Sequence, residues 1–264
     1  MLADPGRTQY DLRFRVLGFP VRVHPWFWII TLLFNGDQLL RIGAEYLLVW
    51  VAIVFVSILV HELGHALAFR RFGAESDIVL YAFGGLAIPT HTISGRGRRI
   101  LVSLAGPGAG FVLCGLVYGS NLALEWGQSA DGKMPNGIFT WFVYRQLLWV
   151  NLGWGLFNLL PVFPLDGGQV NRELCGMRWG VRGKRISLKV SFGIALTVVA
   201  YSLFCVLERE GGGAGVLKDM PWWIPRGTVY TAILFGLLAF SSYELLQQPD
   251  WTDDHWDDRP PWAR

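Results

Sequence analysis

Charged residues are scarce in this sequence. Only 16% of its 264 residues are Asp, Glu, Lys or Arg, whereas 52% are hydrophobic and the mean hydropathy is +0.36. Soluble domains carry about a quarter charged residues and are less apolar. The composition therefore excludes an ordinary soluble domain and indicates a polytopic membrane protein. The net charge of +3 is small and the basic residues are spread over short segments, so we expect no nucleic-acid partner.

Cysteine is also scarce. The sequence has three cysteines, an odd number, and they are widely spaced: Cys114, Cys175 and Cys205. This argues against a disulfide framework or a cysteine metal site. We expect them to be buried small hydrophobic residues. The first 24 residues contain no apolar stretch before a small-residue cleavage site. We therefore expect no secretory signal and a chain that keeps its N-terminus.

The sequence contains several long apolar runs. A bilayer core takes about 20 apolar residues of helix. Five runs are long enough, and a sixth, from Pro25 to Asn35, is short. The five cover approximately residues 44–69, 99–120, 138–164, 186–207 and 228–246. The predicted fold class is an α-helical polytopic membrane protein with about six transmembrane helices.

The distribution of Lys and Arg predicts the orientation of these helices. With six spans and a cytoplasmic N-terminus, 15 of these residues fall in the N-terminal segment and the two cytoplasmic loops, and 5 in the opposite loops. Cytoplasmic loops accumulate Lys and Arg, so both termini are predicted in the cytoplasm, with the protein in the cell (inner) membrane. The expected organisation is a cytoplasmic segment (1–24), a membrane-embedded domain (25–247) and a flexible acidic tail (248–264).

A glycine-containing segment, Asp77 to Thr90, lies between two of the long runs. It is too short for a spanning helix. Its β-branched residues and its central Gly84-Gly85 predict a short β-hairpin associated with the membrane surface.

The segment His61-Glu62-Leu63-Gly64-His65 carries the chemistry. Residues four apart on a helix project from one face, so the two imidazole rings can share a metal ion. Glu62 then lies beside the ion, where a carboxylate can take a proton from metal-bound water and pass it to a leaving amine. Three ionisable residues within an apolar membrane run are costly to insert, which favours a functional explanation.

Simpler explanations exist for parts of this motif. Two histidines at a helix end, with Glu62 bonded to Arg70 or Arg71, would need no metal. Gly64 leaves the site uncrowded, but a role in packing one helix against another explains it as well.

A zinc site for hydrolysis needs a third protein ligand and an open position. The best candidate is Asp166, within the sequence N-L-L-P-V-F-P-L-D-G-G at 158–168. Pro161 and Pro164 end the preceding helix, so the carboxylate is held on irregular backbone at the membrane face. The alternative is that Asp166 caps the following helix and binds no metal.

Together these segments resemble the site-2 protease family of intramembrane metalloproteases. The resemblance rests on H-E-L-G-H at 61–65 in a membrane helix, followed downstream by the sequence at 158–168. S-L-A-G-P at 103–107 and G-F-P-V-R-V-H at 18–24 resemble further patterns of that family, and the resemblance extends from about residue 18 to 170. It implies that His61, His65 and Asp166 bind Zn²⁺ and that Glu62 is the catalytic base and acid.

The resemblance also implies residues that handle the substrate. Asn158 would lie near the scissile bond, where its amide can donate to a developing oxyanion or hold the substrate backbone; the alternative is an interhelical hydrogen bond. Phe83, Gly84 and Gly85 resemble the family's glycine-bearing strand near the active site. An open strand edge there could hold the unwound backbone of a substrate by β-addition.

The predicted function is an intramembrane zinc metalloendopeptidase that cleaves a peptide bond in or near a transmembrane segment of another membrane protein. The family favours a membrane-tethered regulator as substrate, and the chain resembles the compact members without an added peptide-binding or nucleotide-sensing domain. The expected partners are that substrate and the lipid bilayer. The alternatives are a metal-binding transport or scaffold protein, which has no obvious need for Glu62 as a non-ligand, and a catalytically silent relative.

Overall fold

The structure, a computed structural model, describes residues 6–82, 84–124, 137–210 and 227–247, without the side chains of residues 34–38, 181, 209 and 210. Phe83 and the predicted acidic tail, 248–264, lie outside the described residues. The chain forms two units, Leu2–Leu159 and Leu160–Asp257. We refer to them as the N-terminal and the C-terminal unit.

The N-terminal unit combines a small sheet with four helices. Its strands are β1 (Leu12–Val16), β2 (Phe19–Val23), β3 (Ser76–Tyr81) and β4 (Gly84–Pro89), and its helices are α1 (Pro25–Leu40), α2 (Ala44–Arg71), α3 (Arg96–Leu124) and α4 (Gly137–Asn158). The strands lie in the order β1-β2-β3-β4, with β2 and β3 parallel and the two outer pairs antiparallel.

The hairpin of β1 and β2, within residues 1–24, was not predicted. Its two-residue turn, Leu17-Gly18, has positive φ at both positions, 52° and 88°, which suits the twist of a tight hairpin. Asp11 stabilises the start of the hairpin, because its carboxylate accepts hydrogen bonds from Thr8 and Arg22. Burial raises the pKa of Asp11, but these partners outweigh it and bring the pKa to about 2.

The predicted hairpin of residues 77–90 is confirmed as β3 and β4, with Gly84 and Gly85 at the start of β4. Gly84 pairs with Tyr81 and Gly85 with Leu80, so both glycines belong to β4 and the turn comes before them. The hairpin is also not isolated, because β3 pairs with β2.

A shared hydrophobic core joins the sheet to the helix that carries the histidines. Its buried residues from the strands are Phe19, Val21, Val23, Ile78 and Leu80. They pack with Phe27 of α1 and with Ile58 and Ala66 of α2. Alternate strand residues point to one face, which is why every second residue of β2 contributes to this core.

Four helices of the described residues are long and apolar enough to cross a membrane: α2, α3 and two helices of the C-terminal unit. This supports a membrane protein, but it does not confirm six spans. The run predicted over 138–164 is helical only to Asn158, because Pro161 lacks the N–H that would continue the ladder and disfavours helical backbone before it.

The C-terminal unit contains α5 (Asp166–Trp179), α6 (Val181–Glu210) and α7 (Val229–Gln247). The irregular segment before α5 is held on α6 by Ser191, whose Oγ accepts from the Phe163 N–H at 3.1 Å. Gly168 lets the first turn of α5 lie against the backbone of Val162 and Phe163. All three cysteines are free thiols; Cys175 and Cys205 are buried and Cys114 is partly buried, close to the prediction.

Candidate metal centre

His61 and His65 face each other from consecutive turns of α2. Their Nε2 atoms are 3.2 Å apart, and the residues are 3% and 7% exposed. Two nitrogen ligands on a tetrahedral zinc ion, at about 2.0–2.1 Å from the metal, lie about 3.3 Å from each other. The two nitrogens therefore have the spacing that one shared ion requires.

A backbone carbonyl of α3 orients His65. Its Nδ1 lies 2.8 Å from the Val102 oxygen. Because a carbonyl only accepts, Nδ1 carries the proton and Nε2 is left with a lone pair for a metal. This is the usual arrangement behind a metal-binding histidine, in which the second ring nitrogen is held by a hydrogen bond.

Two glycines bring α2 and α3 close enough for that contact. A Cβ on Gly106 would run into the His65 ring, and a Cβ on Gly64 would run into the Ala105 carbonyl. Gly64 thus allows α2 to pack closely against α3, which is one of the two roles considered for this glycine. The glycine of the S-L-A-G-P segment has a physical role too, because it makes room for His65.

Glu62 is buried at 4% exposure, and the sheet passes directly beside it. A Cβ on Gly85 would meet the Glu62 carboxylate, so the start of β4 lies against this side chain. Arg70, one of the two partners considered for Glu62, instead donates to the Leu17 oxygen at 3.0 Å and lies over the Phe19 ring.

Asn158 is the last residue of α4 and is 8% exposed. Its Nδ2 donates to the Trp154 oxygen of the same helix at 3.0 Å. An interhelical bond of the kind considered for Asn158 is made by Asn151 instead, which donates to Ser57 of α2. Sequence reasoning missed Asn151, although a second asparagine seven residues before Asn158 lies on the same face of a helix.

Gly84, the first residue of β4, lies against Trp154 of α4. Its φ is +119°, and a Cβ there would be 2.7 Å from the Trp154 ring. Gly85 faces Glu62, so the first two residues of β4 pass between a residue of α2 and a residue of α4. The two glycines therefore serve close approach rather than a turn.

Asp166 is the first residue of α5, in the C-terminal unit, and is half-buried. The N-cap position is Leu165, which makes no side-chain capping hydrogen bond. Asp166 follows it in the first turn, where a carboxylate is favoured by the helix dipole. Its role as a metal ligand stays a prediction.

The fold as a whole matches an intramembrane protease of known structure. The site-2 protease from Methanocaldococcus jannaschii aligns with a TM-score of 0.55 over 90% of this chain and 96% of that one, at 22% identity. At this identity the two chains share a fold.

The family follows from the sequence match. The model of peptidase family M50 matches residues 49–139 and 127–201, and this chain belongs to that family. The predicted family is thereby confirmed.

Two curated relatives are similar over most of the chain. A zinc metalloprotease of Methanocaldococcus jannaschii is 27% identical over 197 residues, which are 74% of this chain and 54% of that protein. Stage IV sporulation protein FB of Bacillus subtilis is 28% identical over 232 residues, or 86% of this chain and 66% of that protein. The chain thus spans little more than half the length of the first relative. The family and the name of the first relative support the predicted class of zinc metalloprotease.

Proposed function

We propose that this chain is an intramembrane zinc metalloendopeptidase. The observation that carries the proposal is the buried pair of His61 and His65, with Nε2 atoms 3.2 Å apart and Glu62 beside them on the same apolar helix. Burying these groups in a membrane helix is costly without a function, and membership of peptidase family M50 supplies the matching reaction class.

His61, His65 and Asp166 would hold the zinc ion. Two imidazole nitrogens and one carboxylate oxygen form the three-ligand set that leaves a fourth position open in catalytic zinc sites. When bound, zinc would act as a Lewis acid on the scissile carbonyl and lower the pKa of water. The Val102 carbonyl keeps His65 in the tautomer that this set needs.

Glu62 moves the proton. It is buried and does not need to bind the metal, so it can accept a proton from the attacking water and deliver it to the amine that leaves. Asn158 would donate its amide hydrogen to the oxygen of the scissile peptide as negative charge develops there.

Strand β4 would hold the substrate backbone. The backbone N–H of Thr90 donates to the Glu75 oxygen, so Thr90 and Glu75 form a hydrogen-bonded pair. Along an antiparallel ladder, hydrogen-bonded pairs alternate with pairs that are not hydrogen-bonded. The N–H and C=O groups of Gly85 and Ala87 therefore point away from β3, and β4 is an edge of the sheet. An extended substrate segment could pair with this edge by β-addition, beside Glu62.

A proline substitution on that edge tests β-addition. Ala87→Pro removes one outward N–H without breaking the ladder to β3, so we expect a fall in kcat/KM of about 10-fold, the worth of one backbone hydrogen bond. Ala87→Val keeps the N–H and is the matched control. Equal kcat/KM in the two variants would contradict β-addition.

The membrane arrangement proposed here has six spans with both termini in the cytoplasm. In addition to the four apolar helices, α4 has 22 residues and α1 has 16. At 1.5 Å per residue these are about 33 and 24 Å long, against a bilayer core of about 30 Å. Helix α4 is long enough to cross, and the shorter α1 would cross where the bilayer becomes thinner around it. The substrate would be a membrane-tethered regulator.

Substituting Glu62 tests the function. The probe is a single-span reporter with a central Gly-Pro, which weakens its helix, and an epitope tag at each end, reconstituted with the protein in liposomes. Glu62→Gln should keep one zinc per chain, measured by atomic emission, and lose about 10³-fold in cleavage rate, because the general base is gone. Glu45→Gln, on the exposed first turn of the same helix, is the control and should cleave normally.

Two outcomes would contradict the proposal. Full cleavage by Glu62→Gln would remove Glu62 from the mechanism. Zinc-loaded wild-type protein that cleaves no reporter would favour the metal-binding transport or scaffold protein. In the same assay Asp166→Ala should lower the affinity for zinc, and an unchanged zinc affinity would show that Asp166 is not a ligand.

A further inference from the structure

A buried hydrogen bond joins α2 to α4 away from the proposed metal ligands. The Asn151 amide donates to Ser57 Oγ at 3.0 Å and to the Leu147 oxygen at 2.8 Å. Both Asn151 and Ser57 are 2% exposed. The two amide hydrogens are thus both used, one of them to reach the neighbouring helix.

The two residues lie in line with the proposed catalytic groups. Ser57 is four residues before His61 on α2, which places it one turn away on the same face. Asn151 is seven residues before Asn158, two turns away on the same face of α4. The bond therefore links the helix that carries His61 and Glu62 to the helix that ends at Asn158.

Such a bond fixes how the two helices sit against each other. A shift of α4 by a single residue moves Asn151 by about 1.5 Å along the axis and turns it by about 100°. Either movement would separate the amide from Ser57 Oγ and leave polar groups unpaired in an apolar surrounding, which is unfavourable. Other axial and rotational settings of α4 are thereby disfavoured.

We propose that Asn151 and Ser57 are positioning residues, whose hydrogen bond sets the location of Asn158 relative to Glu62. The inference rests on the proposed function. Neither residue touches the reacting atoms; they act through the two helices. A displacement of a catalytic group by about 1 Å can lower the rate by 10²-fold, so loss of the bond is expected to lower kcat by about 10- to 100-fold. Binding of zinc and of substrate should change little.

Substitutions of matched shape at position 57 provide the cleanest test. Ser57→Thr keeps a hydroxyl that can accept from Asn151, whereas Ser57→Val has the same shape without it. In the reporter assay Ser57→Thr should cleave at close to the wild-type rate, and Ser57→Val should lose about 10- to 100-fold in kcat, with KM and zinc content unchanged. Asn151→Leu should match Ser57→Val, and the double variant should be no worse than either.

A second buried asparagine controls for general loss of stability. Asn121 of α3 is 8% exposed and hydrogen bonds with Tyr144 of α4. Tyr144 lies fourteen residues before Asn158, which is about 21 Å along the helix. Asn121→Leu removes a comparable interhelical contact and should lower the thermal midpoint without lowering kcat of the folded, zinc-loaded protein.

The outcomes separate the positioning role from the function on which it rests. Equal kcat for Ser57→Thr and Ser57→Val would overturn the positioning role and leave the peptidase intact. An equal loss of kcat in Asn121→Leu would overturn it as well, because any weakened contact would then have the same effect. Zinc-loaded wild-type protein that cleaves no reporter would overturn the proposed function and this role with it.

Discussion

The glycines that face His65, Glu62 and the neighbouring backbone have very different surroundings from several other glycines on the helices. Gly64, Gly85 and Gly106 face Ala105, Glu62 and His65 so closely that a methyl group would collide with each. In contrast, no heavy atom of the described residues, beyond the glycine's own turn and neighbours, lies within 4 Å of a Cβ position on Gly108, Gly115, Gly119 or Gly153. The chain contains 32 glycines, and only some of them have no room for a side chain.

This difference shows how the site is supported. A glycine in a helix interior costs about 1 kcal/mol relative to alanine, so a glycine with open space around it has no packing reason to remain. Where glycine faces a functional side chain, it sets the position of that side chain by contact. The following predictions test whether the close contacts matter and the open positions do not.

The largest effect is expected at Gly106. In Gly106→Ala the new methyl group displaces the His65 ring, which should lower the affinity for zinc by about 10- to 100-fold, as loss of other supporting contacts around a ligand does. Cleavage of the reporter should fall with it. Gly108→Ala, two residues along the same helix and with open space, is the control and should bind zinc normally. Equal zinc affinity in the two variants would contradict the comparison.

A smaller effect is expected at Gly85. The methyl group of Gly85→Ala presses on Glu62 but not on either histidine, so zinc content should stay at the wild-type level while kcat falls by about 10-fold. Measured together, zinc content and kcat separate this variant from Gly106→Ala. Gly97→Ala at the open start of α3 is the control. Loss of zinc in Gly85→Ala would show that the strand supports the metal ligands as well.

The smallest effect is expected at Gly155, where the consequence is stability rather than chemistry. A Cβ at this position would lie 2.6 Å from the Phe111 ring of α3. Gly155→Ala should therefore destabilise the protein by about 1–3 kcal/mol through overpacking. Gly153→Ala on the same helix has open space and should not destabilise it. The thermal midpoints of the two variants in detergent give the measurement, and equal midpoints would contradict the prediction.

Features that depend on local periodicity were predictable from the sequence. The spacing of His61 and His65 determines that their rings share a face of a helix, and the structure confirms that their nitrogens meet. The run predicted over 99–120 lies within α3, Arg96–Leu124. The helix before Asp166 ends where the prolines require, although earlier than predicted.

Features that depend on partners distant in sequence were not predictable. Ser57 and Asn151 are 94 residues apart, and nothing in the local pattern of either predicts their hydrogen bond. Gly84-Gly85 was predicted to belong to a hairpin, but the close approach of Glu62 and Trp154 that requires glycine at these positions was not predictable. The alternation of L-R-F-R-V and F-P-V-R-V at 12–23 did contain the signal for β1 and β2, but the number of arginines suggested a plain polar segment.

The partner of His65 is a main-chain oxygen, and this affects how the site tolerates change. A side-chain acceptor can be deleted by one codon change, whereas the Val102 carbonyl is present whatever residue occupies that position. Random substitution at position 102 by residues of similar size would leave the acceptor in place. Substitutions at position 102 therefore preserve the hydrogen bond that keeps the proton on His65 Nδ1. Only a change in the path of the α3 backbone could remove it.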